Sequence, residues 1–172
     1  SPDGTHIAFA SKRYGNDDVF IIPARGGSPT RLTFHSADDL PYDFTPDGTG
    51  VIYGSSRNDD YRAILFPSGV LPEHYEVKIT GGREKQVLTT PAEMARFSPD
   101  GKKLVFHDRK GYEDPYRKHH TSSVTRDIWT YDLSTGQYQQ LSNWEGEERN
   151  PVWTSDGESM YFLSERSGSF NV

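Results

Sequence analysis

Residues 45–53 read Thr-Pro-Asp-Gly-Thr-Gly-Val-Ile-Tyr, a tight turn followed directly by an apolar run. Proline presets the backbone at the second position of such a turn, aspartate bonds to nearby backbone N–H groups, and glycine accepts a positive φ. The tripeptide occurs four times, once with serine for proline: Pro2-Asp3-Gly4, Pro46-Asp47-Gly48, Pro99-Asp100-Gly101 and Ser155-Asp156-Gly157. The aspartates are 44, 53 and 56 residues apart. Repeats of this length are supersecondary units that must stack on their neighbours to bury an apolar face.

Each tripeptide lies between two short strands, and two more strands complete the repeat. We label them a to d, with strand a before the tripeptide and strand b after it. An aromatic residue stands five residues past each turn glycine: Phe9, Tyr53, Phe106 and Phe162. Strand c is rich in β-branched and aromatic residues, and a glycine turn leads into strand d. The sequence therefore predicts an all-β fold, a partial β-propeller of four-stranded antiparallel blades. Apolar residues at helical spacing, which a helical repeat would require, are absent.

The repeats predict two complete blades and two partial ones. Residues 1–34 form a blade that lacks strand a, 35–90 and 91–142 are complete, and 143–172 are truncated as strand c begins. Closed propellers need about four to eight blades. We therefore expect the chain to be a fragment of a larger ring, with its natural N-terminus upstream. Open blade edges would then be available for self-association.

Composition excludes several partners. The net charge is −6, and the 19 lysines and arginines are mixed with 25 acids rather than gathered in a basic stripe, so nucleic acid is not an expected partner. No apolar run is long enough to span a membrane. Because cysteine is absent, disulfides and thiol catalysis are ruled out.

Two long b–c connections, 57–74 and 108–126, are the best functional clue. Since the a–b and c–d turns are tight, both long segments should leave from one face, which is usual for a working face in repeat proteins. Packing against a neighbouring domain is the alternative. The first segment contains the apolar cluster 64–66, and the second is rich in side-chain donors that could hold a carboxylate or a peptide backbone. The candidate substrate-binding residues are Arg117, Lys118, His119, His120, Thr121, Ser122 and Arg126. A solvated loop ordered by its own polar contacts is the other interpretation.

Catalytic and cofactor motifs do not appear. There is no Gly-x-Ser-x-Gly elbow, no His-Glu-x-x-His and no phosphate-binding glycine loop, so no catalytic residue, metal or cofactor is assigned. An arginine follows every strand b, and such repetition favours a structural ion pair, for example to the adjacent blade, over a substrate contact. These residues are Arg13, Arg57, Arg109 and Arg166.

The repeat resembles the propeller repeats of TolB and of tricorn-type peptidases. Residues 117–129, Arg-Lys-His-His-Thr-Ser-Ser-Val-Thr-Arg-Asp-Ile-Trp, are similar to the N-terminal β-propeller of bacterial tricorn-like serine peptidases, as are 65–69 and 164–172. In that family propellers precede a PDZ domain and a peptidase core that carries the nucleophilic serine.

The resemblance implies a non-catalytic segment that admits or holds peptides for a distant protease core, in a periplasmic or secreted protein. Its implied partners are peptides or the peptidase and PDZ domains of a longer chain. A TolB-like protein-interaction propeller without peptidase activity is one alternative. The propeller of a prolyl-oligopeptidase-like enzyme, followed by an α/β-hydrolase, is another.

Overall fold

A computed structural model describes residues 1–59, 71–111 and 121–172. These residues form thirteen strands and no helix. The strands are β1 (His6–Ser11), β2 (Asp18–Pro23), β3 (Thr30–Arg31), β4 (Asp39–Phe44), β5 (Gly50–Ser55), β6 (Glu73–Lys78), β7 (Lys85–Leu88), β8 (Ala92–Phe97), β9 (Lys103–Asp108), β10 (Ile128–Asp132), β11 (Tyr138–Gln140), β12 (Glu148–Trp153) and β13 (Met160–Ser164).

The strands pair in sequence order as four separate antiparallel sheets. Two sheets have four strands, β4-β5-β6-β7 and β8-β9-β10-β11. The first sheet, β1-β2-β3, has three strands, and the last, β12-β13, has two. A bridge between Ser164 and Asn171 brings the end of the chain beside β13, where a strand c would pair. The predicted all-β partial propeller is confirmed, while the exact residues that divide the blades stay a prediction.

Apolar side chains between the sheets form the core. Val19 and Leu32 of the first sheet pack with Val51 and Tyr53 of the second. A second cluster joins the second sheet to the third, and it includes Phe106. The aromatic residue after the turn is fully buried in the two complete sheets, because a sheet packs on each side of it. Burial of this apolar surface is the main force that holds the blades together.

The Pro-Asp-Gly turns also contact one another from blade to blade. Within a turn, the Asp47 carboxylate accepts hydrogen bonds from the Thr45 hydroxyl at 2.6 Å and from the Thr49 N–H at 3.0 Å. Gly101 has φ +72°, and a Cβ added there would lie 3.1 Å from the ring of Pro46 in the preceding turn. The glycine therefore provides both the left-handed backbone and the space for the neighbouring proline.

One rim of the molecule carries the ends of the b–c connections. Strand a is the inner strand of its blade, and it is present as β4, β8 and β12. The first residue of each of these strands donates a backbone hydrogen bond to the end of the b–c connection in the preceding blade. These bonds join Asp39 to Asp17 at 2.7 Å, Ala92 to Pro72 at 2.9 Å and Glu148 to Arg126 at 3.1 Å. The described ends of both long connections therefore lie on the same rim, at the start of the inner strands. We call it the loop rim.

Candidate functional site

The structure covers three of the seven predicted binding residues. Arg117, Lys118, His119 and His120 lie outside the described residues, as does the apolar cluster 64–66. Thr121, Ser122 and Arg126 are described, and all three lie on the loop rim where the second long connection returns to β10.

Arg126 is buried, and its charge is already paired. Its side chain is 10% exposed, and its guanidinium forms an ion pair with Glu147 at the start of the fourth sheet. The backbone N–H of Arg126 also donates to the same carboxylate at 3.2 Å, and the Glu93 carboxylate lies 3.6 Å from the guanidinium. Arg126 therefore connects the end of the second long connection to two inner strands. Its predicted contact with a substrate stays a prediction.

Glu93 is the centre of a buried polar network beneath the loop rim. Its carboxylate accepts hydrogen bonds from Arg109 at 3.1 Å and from His107 at 3.3 Å. Burial acts to raise the pKa of Glu93, but the hydrogen bond from His107 and the charges of Arg109 and Arg126 outweigh burial and lower the pKa to about 2. Glu93 is therefore ionised at any physiological pH.

His107 is held as a neutral imidazole with a defined tautomer. Its Nδ1 atom accepts a hydrogen bond from the backbone N–H of Asn150 at 3.1 Å. Since a backbone N–H can only donate, the ring proton must be on Nε2, which donates to Glu93. Burial lowers the pKa of His107, although the contact with Glu93 opposes that effect.

The arginine that follows strand b is structural in the last three sheets, but its partner differs from the expected one. Arg57 binds Asp39 at 2.9 Å, Arg109 binds Glu93 at 3.1 Å, and Arg166 binds Glu148. Each acid lies on strand a of the same sheet and not on the adjacent blade. The reason is the antiparallel a–b pairing, which places the residue after the end of strand b beside the start of strand a. In the first sheet, which has no strand a, Arg13 instead lies over the Phe20 ring at 4.6 Å.

A cavity of about 460 Å³ opens on the loop rim beside the second long connection. Thr121 and Ser122 line it, together with Lys110, Trp144 and Glu145. Most wall residues come from the second long connection and from the segment between β11 and β12, and Asp127 and Gln140 complete the lining. Two of the predicted binding residues therefore line the same cavity as Trp144, which no motif in the sequence singles out.

Lys110 closes the base of the second long connection. Its ammonium group donates to the Asp127 carboxylate at 2.5 Å and to the Thr125 carbonyl at 2.8 Å, and it lies 3.4 Å from Asp108. Burial acts to lower the pKa of Lys110, but the hydrogen bond to Asp127 and the charge of Asp108 raise it overall. The two ends of the connection are thus fixed to each other by a charged cross-link.

Residues 1–59, 71–111 and 121–172 contain no cluster of three or more His, Cys, Asp or Glu side chains that could hold a metal ion. Over the same ranges, no helix has the length and apolar character needed to cross a bilayer.

The four-stranded antiparallel sheets agree with comparisons to known proteins. The model of the tricorn protease N-terminal beta propeller domain matches residues 1–172, the whole chain. The chain belongs to this family. This tricorn-type propeller is 26% identical, over 179 aligned residues, to tricorn protease homolog 1 of Streptomyces coelicolor, with 98% of the chain and 15% of the relative covered.

Two solved structures share the fold. TolB from Acinetobacter baumannii superposes with a TM-score of 0.71 at 20% identity, covering 98% of this chain and 37% of that one. The tricorn protease superposes with a TM-score of 0.58 at 16% identity, covering 95% and 14%. The tricorn-type propeller spans between 11% and 52% of the length of the curated relatives it matches.

Proposed function

We propose that this propeller is a non-catalytic segment of a tricorn-like serine peptidase, and that its loop rim admits or holds peptides for a peptidase core elsewhere in the protein. The observation that carries the proposal is the whole-chain match to the tricorn N-terminal propeller model. The likeness to a tricorn protease homolog adds support, because there too the matched segment is a small part of a longer protein.

The loop rim has the features that such a role requires. Its cavity is open and lined mainly by neutral hydrogen-bonding groups, including Thr121 and Ser122, which suit the alternating N–H and C=O groups of an extended peptide. Arg117, Lys118, His119 and His120 directly precede these residues in the sequence and would supply side-chain donors to a peptide carboxylate, Arg117 and Lys118 as cations.

The partners and the location follow from the same proposal. Peptides, and the peptidase or PDZ domains of a longer chain, are the proposed binding partners. A hydrolase of this type that processes exported peptides would act in the periplasm or outside the cell.

A TolB-like interaction propeller is the second candidate. It is kept because the fold superposes on TolB over nearly the whole chain. In that case the loop rim would bind a protein partner, and the intact protein would show no peptide hydrolysis.

Turnover of long peptides by the intact protein tests the proposal. The triple variant Arg117→Ala, His119→Ala, His120→Ala should raise KM about tenfold or more, because charge-assisted hydrogen bonds to the peptide are lost. The matched control is Arg25→Ala, Arg83→Ala, Lys102→Ala, three exposed cations at the tight turns of the opposite rim. The control should leave KM unchanged. Equal KM values for the two triple variants would remove the loop rim from peptide binding, and absence of any hydrolysis would favour the TolB-like role.

A further inference from the structure

The cavity on the loop rim has one acid whose charge is not compensated. The positive charge of Lys110 is already paired, because its ammonium group lies 2.5 Å from Asp127 and 3.4 Å from Asp108. Glu145, in contrast, is exposed and has no ion-pair partner among the described residues. The described side chains in and around the cavity therefore carry a net negative charge.

Trp144 gives the cavity an aromatic wall that is held in place. The indole is half-buried, and it packs over Gly146 so closely that a Cβ at that position would lie 2.1 Å from the ring. The guanidinium carbon of Arg166 is 6.0 Å from the ring centroid, although Arg166 does not line the cavity. The indole is thus positioned to attract a cation, since its face carries negative potential.

The remaining wall is fixed and neutral. The Thr125 hydroxyl donates to the Ser122 carbonyl at 2.9 Å and approaches the Glu145 carbonyl at 3.4 Å, which ties the second long connection to the segment that carries Trp144. Gln140 and Asn143 add amide groups to the lining. Such groups can bond to a peptide backbone without favouring either charge.

We propose that this cavity binds the cationic group of a peptide, with Trp144 stacking on it and Glu145 supplying the counter-charge. The cation would be an arginine or lysine side chain, or the α-ammonium group of an N-terminus. The inference rests on the proposed function for the class of ligand, and it adds which group of the peptide is recognised here. It is independent of the proposal that Arg117 and Lys118 would bind a peptide carboxylate.

Three pentapeptides separate the two sources of the cation. The first is an acetylated, amidated alanine peptide with a central arginine. The second replaces arginine with citrulline, which has the same shape and no charge. The third is pentaalanine amide with a free α-ammonium group. Binding to the intact protein is measured by tryptophan fluorescence and by calorimetry. If a side chain is recognised, only the arginine peptide binds well; if an N-terminus is recognised, only the third peptide does.

Variants of the cavity residues then test whether the cation binds in this cavity. Glu145→Gln should weaken binding of the cationic peptide about fivefold, which is the effect of one partly exposed charge contact. Trp144→Ala should weaken it about threefold to tenfold. Glu158→Gln is the matched control, because Glu158 is an exposed acid at a tight turn of the opposite rim. It should leave the affinity unchanged.

The outcomes distinguish this inference from the proposed function. Equal affinity of the arginine, citrulline and pentaalanine peptides would overturn the recognition of a cation and leave the peptide-holding role intact. The same would follow if Glu145→Gln and Glu158→Gln behaved alike. If none of the three peptides bound at all, both the cation site and the peptide-holding role would be wrong.

Discussion

The ring of His107 joins the third sheet to the fourth, because its Nδ1 atom accepts a hydrogen bond from the backbone N–H of Asn150 at 3.1 Å. Asn150 has φ +56° and stands where the pairing register between β12 and β13 shifts. The bulge turns this N–H away from the ladder and towards the neighbouring sheet. A buried histidine thus takes the place of a backbone partner between two blades.

Because His107 is buried as a neutral ring, the stability of the protein should fall in mild acid. Burial lowers the pKa of His107 in the folded state, while the unfolded chain takes up a proton near pH 6.5. The unfolded state then binds more protons below pH 6.5, so the free energy of unfolding decreases as the pH falls from 7.5 towards 5. Urea unfolding at a series of pH values measures this slope.

Variants at position 107 test the assignment. His107→Gln keeps a donor and an acceptor but cannot titrate, so the slope between pH 7.5 and 5 should become smaller. His107→Phe leaves the Asn150 N–H without a partner and should cost about 1–3 kcal/mol at pH 7.5. An unchanged pH slope in His107→Gln would show that other groups control the acid sensitivity.

His74 is a polar residue at a position that is apolar in the other complete strands c. Each of Val19, His74 and Ile128 is fully buried at the corresponding place next to strand d. Neither ring nitrogen of His74 has a hydrogen-bond partner among the described residues. Burial, followed by the nearby His107, lowers the pKa of His74 to about 3. The imidazole is therefore neutral, and the desolvation of its two unpaired nitrogens lowers the free energy of unfolding.

His74→Val should stabilise the protein. The expected gain in the free energy of unfolding is about 1–3 kcal/mol at pH 7.5, since an unpaired polar group is replaced by an apolar one. The gain should increase by up to about 1.4 kcal/mol per pH unit between pH 6.5 and 3, because the unfolded state can no longer protonate this residue. Ile128→His is the reciprocal control and should destabilise with the opposite pH trend. If His74→Val instead destabilised the protein, the imidazole could not be an unpaired buried group.

Glycine in the Pro-Asp-Gly turn should be harder to replace than glycine in the other tight turns. Gly81 has φ +77°, and a Cβ there would meet nothing within 4 Å. Gly81→Ala should therefore cost only the left-handed backbone, about 1–2 kcal/mol. Gly101→Ala bears the same backbone cost and also contacts Pro46, so its loss in thermal stability should be larger. Adding Pro46→Ala to Gly101→Ala should recover part of that extra loss, because the contact with the proline ring is removed. If the double variant recovers none of it, the contact with Pro46 is not the cause of the extra loss.

The sequence predicts the fold because the two signals that determine it, the turn tripeptide and the apolar residues beside it, are local. The proline and glycine fix the turn, and the alternating apolar residues beside Val51 and Leu104 fix the strands that flank it. Since the repeat occurs four times, each strand assignment was supported by its counterparts, and the order within the sheets followed from short connections.

The candidate site could be predicted only in part, since its contacts are made between sheets. The sequence indicated that the second long connection matters, but it could not show that Arg126 turns inward to Glu147 or that Trp144 and Glu145 join Thr121 at one cavity. These residues are brought together by the packing of the third sheet on the fourth. One signal for His74 was available, since a histidine replaces the β-branched residue of the other strands c.

Arg126 offers a direct test of whether this rim residue serves the fold or the peptide. Arg126→Ala leaves Glu147 buried without its partner and should lower the free energy of unfolding by about 3–5 kcal/mol. Lys102→Ala is the matched control, because both Lys102 and its ion-pair partner Asp100 are exposed, so its loss should cost about 1 kcal/mol or less. The double variant Arg126→Met, Glu147→Met removes both charges and should recover most of the loss. Peptide affinity, measured well below the melting temperature, should be the same for the double variant and the unchanged protein if Arg126 acts only in the fold. A weakened affinity in the folded double variant would instead place the Arg126 guanidinium on the peptide.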